Sequence, residues 1–193
     1  MFSATAYLTV REHVAFLDRS DRGLIVVSGS DRATYLQGLL TNDIVGLKSG
    51  TGCYAAYLTP QGRMITDLFV YELGDVILLA LPQPQKDVVL AKLDQLVFSE
   101  DVQLGDVTET FLATGIVGPS APATLANILG LAADDLRTMP EHGNLRAAFE
   151  NRPVILTRTN DTGVMGFDVY VESAKADVFR IVLVGNGIQN LDP

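Results

Sequence analysis

One carboxylate stands inside an apolar, strand-like stretch of this sequence. Asp67 lies between Ile65 and Phe69 within residues 64–71, an otherwise largely apolar run that is interpreted as a strand alternating around Asp67. Burying an unpartnered carboxylate is costly, and carboxylates with raised proton affinity serve as general bases and acids. Alternation also turns every second residue of a strand toward solvent. The pattern alone therefore leaves two alternatives for Asp67: a functional carboxylate or a solvent-facing side chain.

The elements that must position Asp67 are two predicted strands joined by a tight turn. Residues 54–59 are of types that favour β-strands, and residues 64–71 are interpreted as a strand whose side chains alternate between two faces. Pro60 and Gly62 lie between these two segments. Pro presets φ and Gly tolerates positive φ, so both are typical of turns. The sequence therefore predicts a β-hairpin with Asp67 on its second strand.

Patterns elsewhere predict further helices and strands. Thr9-x-x-Glu12 is interpreted as a capping box, and Ser30, Ser120 and Ser173 are predicted to cap three later helices. The predicted helices cover residues 9–18, 30–43, 84–97, 120–129, part of 132–144, and 173–185. The other predicted strands cover residues 23–28, 76–81, 101–107, 111–117, 145–149, 154–159 and 167–171.

The order of these elements indicates the fold class. Helices return between groups of mostly antiparallel strands, which is an α+β pattern and not regular βαβ alternation. Residues 20–107 and 108–185 are expected to form two ferredoxin-like halves, although no sequence repeat relates them. We expect a single domain over residues 1–193, divided into these halves and followed by a C-terminal tail at 186–193.

Three segments follow one another along the chain: SDRATYLQGLLTND at 30–43, the hairpin at 54–71, and RTNDTGVMGFDVYV at 158–171. Together they resemble the folate-binding domain of the glycine cleavage T-protein (aminomethyltransferase) superfamily, and more closely its YgfZ-like branch. The first is similar to a helix ending in Leu-Gln-x-Leu-x-Thr-Asn-Asp. The second is similar to a hairpin carrying Asp-Asp-Leu-Ile-Val-Tyr, and the third to Arg-Thr-Gly-Tyr-Thr-Gly-Glu-x-Gly-Phe-Glu-Ile-Tyr-Val. The resemblance covers roughly residues 20 to 185 and implies the fold of that folate-binding domain.

The resemblance implies a tetrahydrofolate site. Asp67 takes the position of the catalytic aspartate beside the folate nitrogens that receive the one-carbon unit. Tyr54 takes the position of a tyrosine of the folate pocket, and Asp168 that of the glutamate that contacts the pterin ring. A pterin offers an amide and amino edge to a carboxylate and a flat face to aromatic rings. Tetrahydrofolate is the expected cofactor, and no metal is expected.

Four departures from the T-protein pattern bear on the function. Thr66 replaces the first Asp of a pair, Asp161 replaces a Tyr, Val164 replaces an acidic residue, and Leu81-Pro82 replaces Val-Asn. This drift is typical of the YgfZ-like branch, which is associated with iron-sulfur cluster assembly and repair. The resemblance therefore implies a tetrahydrofolate-binding protein with a role in iron-sulfur cluster maintenance. One alternative is an aminomethyltransferase that moves a one-carbon unit to tetrahydrofolate; another is a non-catalytic scaffold that keeps only the fold.

Composition excludes several classes of function. The chain has 193 residues, 48% of them hydrophobic, and a mean hydropathy of +0.25, yet no apolar run reaches the length of a membrane span. A net charge of −9 argues against a nucleic-acid surface. The single cysteine, Cys53, permits no internal disulfide and is interpreted as a buried strand thiol. No secretory signal is recognised, so a cytoplasmic location is expected.

Few residues in this acidic chain are suited to hold the anionic glutamate tail of folate. The cations nearest in sequence to the predicted site are Arg22, Arg32, Lys48 and Arg63. Each is either a contact for that tail or a solvated surface charge. The two histidines, His13 and His142, have no metal-ligand spacing, and His142 beside Gly143 is interpreted as a loop residue.

T-protein relatives continue through a segment rich in Arg, Glu, Gly and Pro to a C-terminal barrel-like domain, whereas this chain ends at Pro193. The chain is interpreted as a fragment or as a natural short form. In either case we expect exposed apolar surface and self-association into a homo-oligomer. The expected partners are folate, iron-sulfur proteins and a second copy of the chain, with neither nucleic acid nor membrane among them.

Overall fold

The computed structural model describes residues 4–191. Its helices are α1 Ala4–Glu12, α2 Arg32–Gln37, α3 Gln83–Asp94, α4 Ala121–Leu129, α5 Ala133–Thr138 and α6 Ser173–Gly185. Its strands are β1 Ala15–Asp18, β2 Arg22–Ser28, β3 Thr51–Leu58, β4 Met64–Glu72, β5 Ile77–Pro82, β6 Gln103–Asp106, β7 Phe111–Val117, β8 Asn144–Phe149, β9 Arg152–Thr159, β10 Gly166–Glu172 and β11 Gln189–Asn190.

These elements form two compact units, each with its own hydrophobic core. The central unit consists of Asp21–Glu109 and His142–Asn144. The terminal unit consists of the described parts of Met1–Ser20, Thr110–Glu141 and Leu145–Pro193. The main segment of the central unit runs close to the limits of the first predicted half, 20–107, whereas the terminal unit also takes in the N-terminal segment.

The central unit is an antiparallel sheet with two helices on one face. Its strand order is β3-β4-β5-β2-β6. Because successive strand residues point to opposite faces, every second one packs into a core with α2 and α3. The helix residues buried in that core are Tyr35, Leu36, Val89 and Leu93. Strands β4, β5, β2 and β6 with the two helices have the ferredoxin-like arrangement, and β3 adds an edge strand.

The terminal unit repeats this plan with one insertion. Its strand order is β11-β1-β7-β10-β9-β8, and α4, α5 and α6 pack on one face. The terminal sheet corresponds strand by strand to the central one: in chain order, β7 to β11 take the places of β2 to β6. In addition, β1 is inserted between β7 and β11. The predicted α+β fold of mostly antiparallel sheets with two ferredoxin-like halves is confirmed.

The prediction for the N-terminal segment needs correction. A helix over residues 9–18 is wrong: α1 ends at Glu12, and Ala15–Asp18 is β1. Thr9 does not occupy an N-cap position, because it lies within α1 and its carbonyl accepts a hydrogen bond from the His13 amide. β1 pairs antiparallel with β7 and parallel with β11, so pairing with distant strands overrides the local helical spacing. Within the predicted C-terminal tail, Gln189–Asn190 forms the short strand β11.

The predicted serine caps are also largely wrong. Asp31 occupies the N-cap of α2, and Ser173 is the first residue of α6, not its cap. Ser120 does hold the N-cap position of α4, but its hydroxyl makes no capping bond. The Ser30 hydroxyl instead donates to the Asp101 carboxylate at 2.9 Å, a long-range contact that local pattern cannot anticipate.

Cys53 is a core thiol, as predicted: it lies on β3, is 8% exposed and faces the helices of the central unit. Burial, aided by the negative charge of Asp43, raises the pKa of this thiol to about 11. The reactive thiolate is therefore scarce at neutral pH. We expect Cys53 in the folded chain to react at least about tenfold more slowly with a chromogenic disulfide than in denaturant. Equal rates in the two states would contradict the burial seen here.

Candidate functional site

The sheet face of the central unit opposite its helices carries Tyr54 and Asp67. Strands β3 and β4 oppose Tyr54 to Phe69 and Ala56 to Asp67, and opposed residues point to the same face. Between the strands, Gly62 takes a φ of 78° and its amide donates to the Thr59 carbonyl at 2.8 Å. The predicted hairpin is therefore confirmed, and its register brings Tyr54 diagonal to Asp67.

Tyr54 and Asp67 are joined directly. The Tyr54 hydroxyl donates a hydrogen bond to Asp67 Oδ2 at 2.7 Å. Asp67 is half-buried and Tyr54 is 48% exposed. Asp67 is thus neither an unpartnered buried charge nor a freely solvated one. Among residues 4–191, no partner lies within hydrogen-bonding distance of its other oxygen, Oδ1, so that oxygen can still accept a hydrogen bond.

The pKa of Tyr54 reports on this pair. The hydrogen bond to Asp67 is the main cause of a raised Tyr54 pKa, with smaller contributions from burial and from the Asp67 charge, while Arg22 opposes the rise. We expect Tyr54 to ionise at higher pH in the unmodified chain than in an Asp67→Asn variant. Ultraviolet titration measures this, with Tyr54→Phe subtracted to isolate the one phenol. Equal titration midpoints in the unmodified chain and in the Asp67→Asn variant would show that the Asp67 carboxylate does not stabilise the protonated Tyr54 phenol.

Aromatic rings extend the site beside this pair. The Phe69 ring lies 5.4 Å from that of Tyr54, 6.2 Å from that of Tyr71 and 5.4 Å from that of His142. The Arg22 guanidinium stands 5.3 Å from the centre of the Phe69 ring, a cation-π geometry. Tyr71 is buried, whereas Tyr54, Phe69 and His142 are at least partly exposed. A half-exposed phenol, a carboxylate and these partly exposed rings suit a flat, polar-edged ligand.

The loop after α2 fixes the edge strand that carries Tyr54. α2 ends at Gln37, earlier than the predicted 43, because the Gln37 side chain accepts from the amides of Ile44 and Val45 and organises a loop. The Asn42 amide donates to the Tyr54 carbonyl at 2.8 Å, and the Thr41 hydroxyl accepts from the Ala56 amide at 2.8 Å. The Leu-Gln-x-Leu-x-Thr-Asn-Asp segment therefore covers the exposed edge of β3.

Asp168 lies in the terminal unit, on the face of β10 opposite the helices, and is 5% exposed. The Arg19 Nε lies 3.5 Å from Asp168 Oδ1, and Arg19 Nη2 lies 2.8 Å from Asp161 Oδ2. Gly115 is opposed to Asp168 in the register, and a Cβ there would meet Arg19 Cγ at 3.3 Å. The missing side chain at Gly115 thus lets Arg19 cross the strand to both carboxylates.

Sequence reasoning missed two participants of these clusters, Arg19 and His142. Arg19 stands 149 residues from Asp168 in sequence. His142 lies in a loop before β8, as predicted, but the sequence does not show which residues it contacts. The residues next to Arg19 and His142 in the sequence form no motif that indicates these contacts. Only the ladders that bring β1 beside β7, and residues 142–144 beside β3, place them next to predicted site residues.

The predicted cations differ in their surroundings. Arg32 forms an ion pair with Glu72 at 3.2 Å and donates to the Gly74 carbonyl at 2.8 Å, so it has a structural role. Lys48 and Arg63 are exposed. Arg22 is half-buried and lies against the Phe69 ring. Of the four predicted cations, Arg22 is therefore the one that contacts an aromatic ring of the site.

Two concavities lie on the helix side of the central unit, away from these residues. Their volumes are about 420 and 390 Å³. Both are lined by Gly38, Leu39 and Leu96, and neither is lined by Tyr54 or Asp67. Asp31, Thr34 and Glu100 line the first, and Thr41 and Thr59 line the second. Neither contains any of the residues that the family resemblance assigns to the ligand, so they are weaker candidates for the site.

Neither a metal-ligand cluster nor a membrane-spanning helix occurs among residues 4–191. Among residues 4–191, no group of three or more His, Cys, Asp or Glu side chains is placed to hold a metal ion. None of the described helices has the length and apolarity needed to cross a membrane.

The sequence and the fold match known proteins over nearly the whole chain. Aminomethyltransferase of Bacillus velezensis is 30% identical over 194 residues, covering 95% of this chain and 50% of that protein. An aminomethyltransferase of Thermus thermophilus is 30% identical over 184 residues, covering 94% and 51%. The chain thus spans about half the length of these curated relatives.

Solved structures show the same fold. Glycine cleavage system aminomethyltransferase T from Bartonella henselae superposes with a TM-score of 0.84 at 22% identity, covering 96% of this chain and 49% of that one. Heterotetrameric sarcosine oxidase from Corynebacterium sp. U-96 superposes with a TM-score of 0.62 at 16% identity, covering 92% and 89%.

A family model described as the GCVT N-terminal domain matches residues 2–188. The matched region contains both the Tyr54 and Asp67 pair and Asp168. On this match, the chain belongs to the GCVT N-terminal domain family.

Proposed function

We propose that this chain is the tetrahydrofolate-binding part of an aminomethyltransferase-type protein. The observation that carries the proposal is the Tyr54 hydroxyl bonded to Asp67 Oδ2 at 2.7 Å, on a sheet face lined by aromatic rings. The aminomethyltransferase names of the relatives support this function over the iron-sulfur role. Because the relatives are about twice as long, the activity of a complete protein is part of the proposal.

The residues present fit such a ligand. Asp67 Oδ1 would accept a hydrogen bond from a ligand N–H, while Tyr54 holds the other carboxylate oxygen and so fixes the orientation of the group. Phe69 supplies an aromatic face for a flat ring. Asp168 lies in the terminal unit; by family resemblance alone it is a candidate for a pterin contact, and Arg19 balances its charge. Tetrahydrofolate would supply the nitrogen that accepts a one-carbon unit.

The departures from the T-protein pattern affect the site unequally. Thr66 is 5% exposed and precedes Asp67 on β4. Because successive strand residues point to opposite faces, its side chain points to the helix-covered side of β4. Leu81 is likewise part of the helix-covered core. Pro82, which takes the position of the Asn, alternates with Leu81 and is opposed to Arg22, so it lies on the face that carries Asp67. The changes at Thr66 and Leu81 leave that face unaltered, whereas Pro82 changes it and still argues against an aminomethyltransferase.

Isothermal titration calorimetry of the intact chain with tetrahydrofolate tests the proposal. We expect saturable binding at micromolar concentration, about −8 kcal/mol. The matched control ligand is para-aminobenzoylglutamate, which keeps the anionic tail but lacks the pterin, and we expect it to bind more weakly. No heat of binding with tetrahydrofolate would reject the folate function for this chain.

A second candidate is the YgfZ-like role in iron-sulfur cluster maintenance. The observation that favours it is Asp161, which replaces a Tyr of the T-protein motif and forms an ion pair with Arg19 at 2.8 Å. Release of ammonia from a carrier-bound aminomethyl group in the presence of tetrahydrofolate distinguishes the two. Turnover supports the transferase; folate binding without turnover favours the YgfZ-like role.

Iron-sulfur partners, a cytoplasmic location and self-association stay predictions. Several large apolar side chains are exposed, among them Phe98 at 83%, Ile181 at 69% and Tyr7 at 62%. Exposed apolar surface of this kind favours association. Light scattering over a range of concentrations is the measurement, and a mass that stays monomeric throughout would contradict self-association.

A further inference from the structure

His142 lies against the proposed folate site although it is distant in sequence. Its ring centre is 5.4 Å from that of Phe69, the same distance at which Tyr54 meets Phe69 from its own position. Phe69 is therefore flanked by two rings with polar atoms, and one of them already holds Asp67. His142 belongs to the same compact unit as these residues.

The backbone around His142 is held in place by β3. The Asn144 amide donates to the Gly50 carbonyl at 2.9 Å, and the Asn144 side chain donates to the Thr51 carbonyl at 2.9 Å. A Cβ at Gly52 would lie 2.7 Å from the His142 carbonyl oxygen, so only glycine permits this approach. His142 itself takes a φ of 60°, an uncommon conformation for a residue other than glycine.

One imidazole nitrogen in this arrangement has no partner. His142 Nδ1 is buried, and among residues 4–191 no hydrogen-bond partner lies within reach. A buried, unsatisfied polar atom costs about 1–3 kcal/mol, so its retention calls for an explanation. A half-turn about the Cβ–Cγ bond exchanges Nδ1 with Cδ2 without moving the ring plane. His142 as a whole is only partly buried, so after this half-turn a ligand on the exposed part of the ring would be the missing partner, with the contact to Phe69 kept.

We infer that His142 is a further ligand-binding residue of this site, stacking beside Phe69 and exchanging one hydrogen bond with a flat ring that carries an N–H or C=O group. The inference rests on the proposed folate function. Both the pterin and the aminobenzoyl part of folate have this chemistry. A rigid backbone position, an aromatic neighbour and an unsatisfied nitrogen all point to the same role.

The chain offers a direct spectroscopic test because it has only two histidines. With ¹⁵N-labelled histidine, the ring nitrogens of His142 and of the exposed His13 give separate signals, which a His13→Gln variant assigns. On addition of tetrahydrofolate, we expect the Nδ1 shift of His142 to move and the shifts of His13 to stay. Repeating the titration with methyltetrahydropterin and with para-aminobenzoylglutamate identifies which ring makes the contact.

A variant measures the size of the effect. His142→Phe keeps an aromatic ring beside Phe69 but has no nitrogen, and we expect tetrahydrofolate binding to weaken about fivefold, as for one neutral hydrogen bond. His13→Gln should bind like the unmodified chain. Should the positive φ prevent His142→Phe from folding, the NMR titration of the unmodified chain still decides.

The outcomes distinguish loss of the His142 role from loss of the folate function. Binding of tetrahydrofolate with unmoved His142 signals, or unchanged affinity in a folded His142→Phe variant, would overturn the role of His142 and leave the folate function standing. Absence of binding to the unmodified chain would overturn both. Binding with a shifted His142 signal and weakened His142→Phe supports both.

Discussion

Replacing Asp67 with asparagine is expected to weaken tetrahydrofolate binding at least about tenfold, or about 1.4 kcal/mol. Asparagine has the shape of aspartate, and its side-chain oxygen can still accept the Tyr54 hydroxyl, which lies 2.7 Å from the carboxylate. The change removes the negative charge and places an N–H₂ group where Oδ1 would accept from the ligand. Binding should therefore fall while the fold is retained.

Calorimetric titration of both chains with tetrahydrofolate measures this effect. Asp87→Asn is the matched control: it makes the same change of one carboxylate to an amide in the same unit, at a side chain that is 87% exposed. We expect the control to bind like the unmodified chain. Equal affinity of Asp67→Asn and the unmodified chain would remove Asp67 from the site.

The second large effect concerns stability. Arg32→Ala is expected to lower the free energy of unfolding by about 3 kcal/mol, because removing one partner of a buried ion pair leaves the other charge uncompensated. Glu72 is 7% exposed and would lose the guanidinium that lies 3.2 Å away. The carbonyls of Gly29 and Gly74 would each lose a donor as well. Urea unfolding gives the change in free energy.

Two further variants test the cause of that loss. Adding Glu72→Gln to Arg32→Ala removes the stranded charge, and we expect the double variant to regain part of the lost stability. Arg63→Ala deletes an exposed arginine of the same unit and should change stability by less than about 0.5 kcal/mol. A loss for Arg32→Ala no larger than for Arg63→Ala would mean that the ion pair contributes nothing.

Local sequence pattern alone predicted part of this structure. The alternation of residues 64–71 and the Pro60 and Gly62 turn predicted the hairpin, and the hairpin register then placed Tyr54 beside Asp67. Strand alternation and tight turns are set by interactions between near neighbours in sequence. The α+β class followed from the order of such elements, and family resemblance supplied the candidate roles of Asp67, Tyr54 and Asp168.

Local pattern failed where distant segments meet. Residues 15–18 have helical spacing with the residues before them, yet they form β1 because β7 and β11 offer ladder hydrogen bonds on both sides. Serine is a common N-cap residue, yet the Ser30 hydroxyl donates a hydrogen bond to Asp101, 71 positions away. In each case a long-range hydrogen bond outweighs a weak local preference.

The sequence by itself determined the hairpin and the fold class, because turn chemistry and side-chain alternation act over a few residues. The three candidate site residues came from family resemblance, not from local physical pattern. Only the tertiary structure decided that Arg19 crosses Gly115 to reach Asp168 and that His142 stands against Phe69. Those neighbours come from segments far apart in the chain, and sheet pairing and the space left by glycines bring them together.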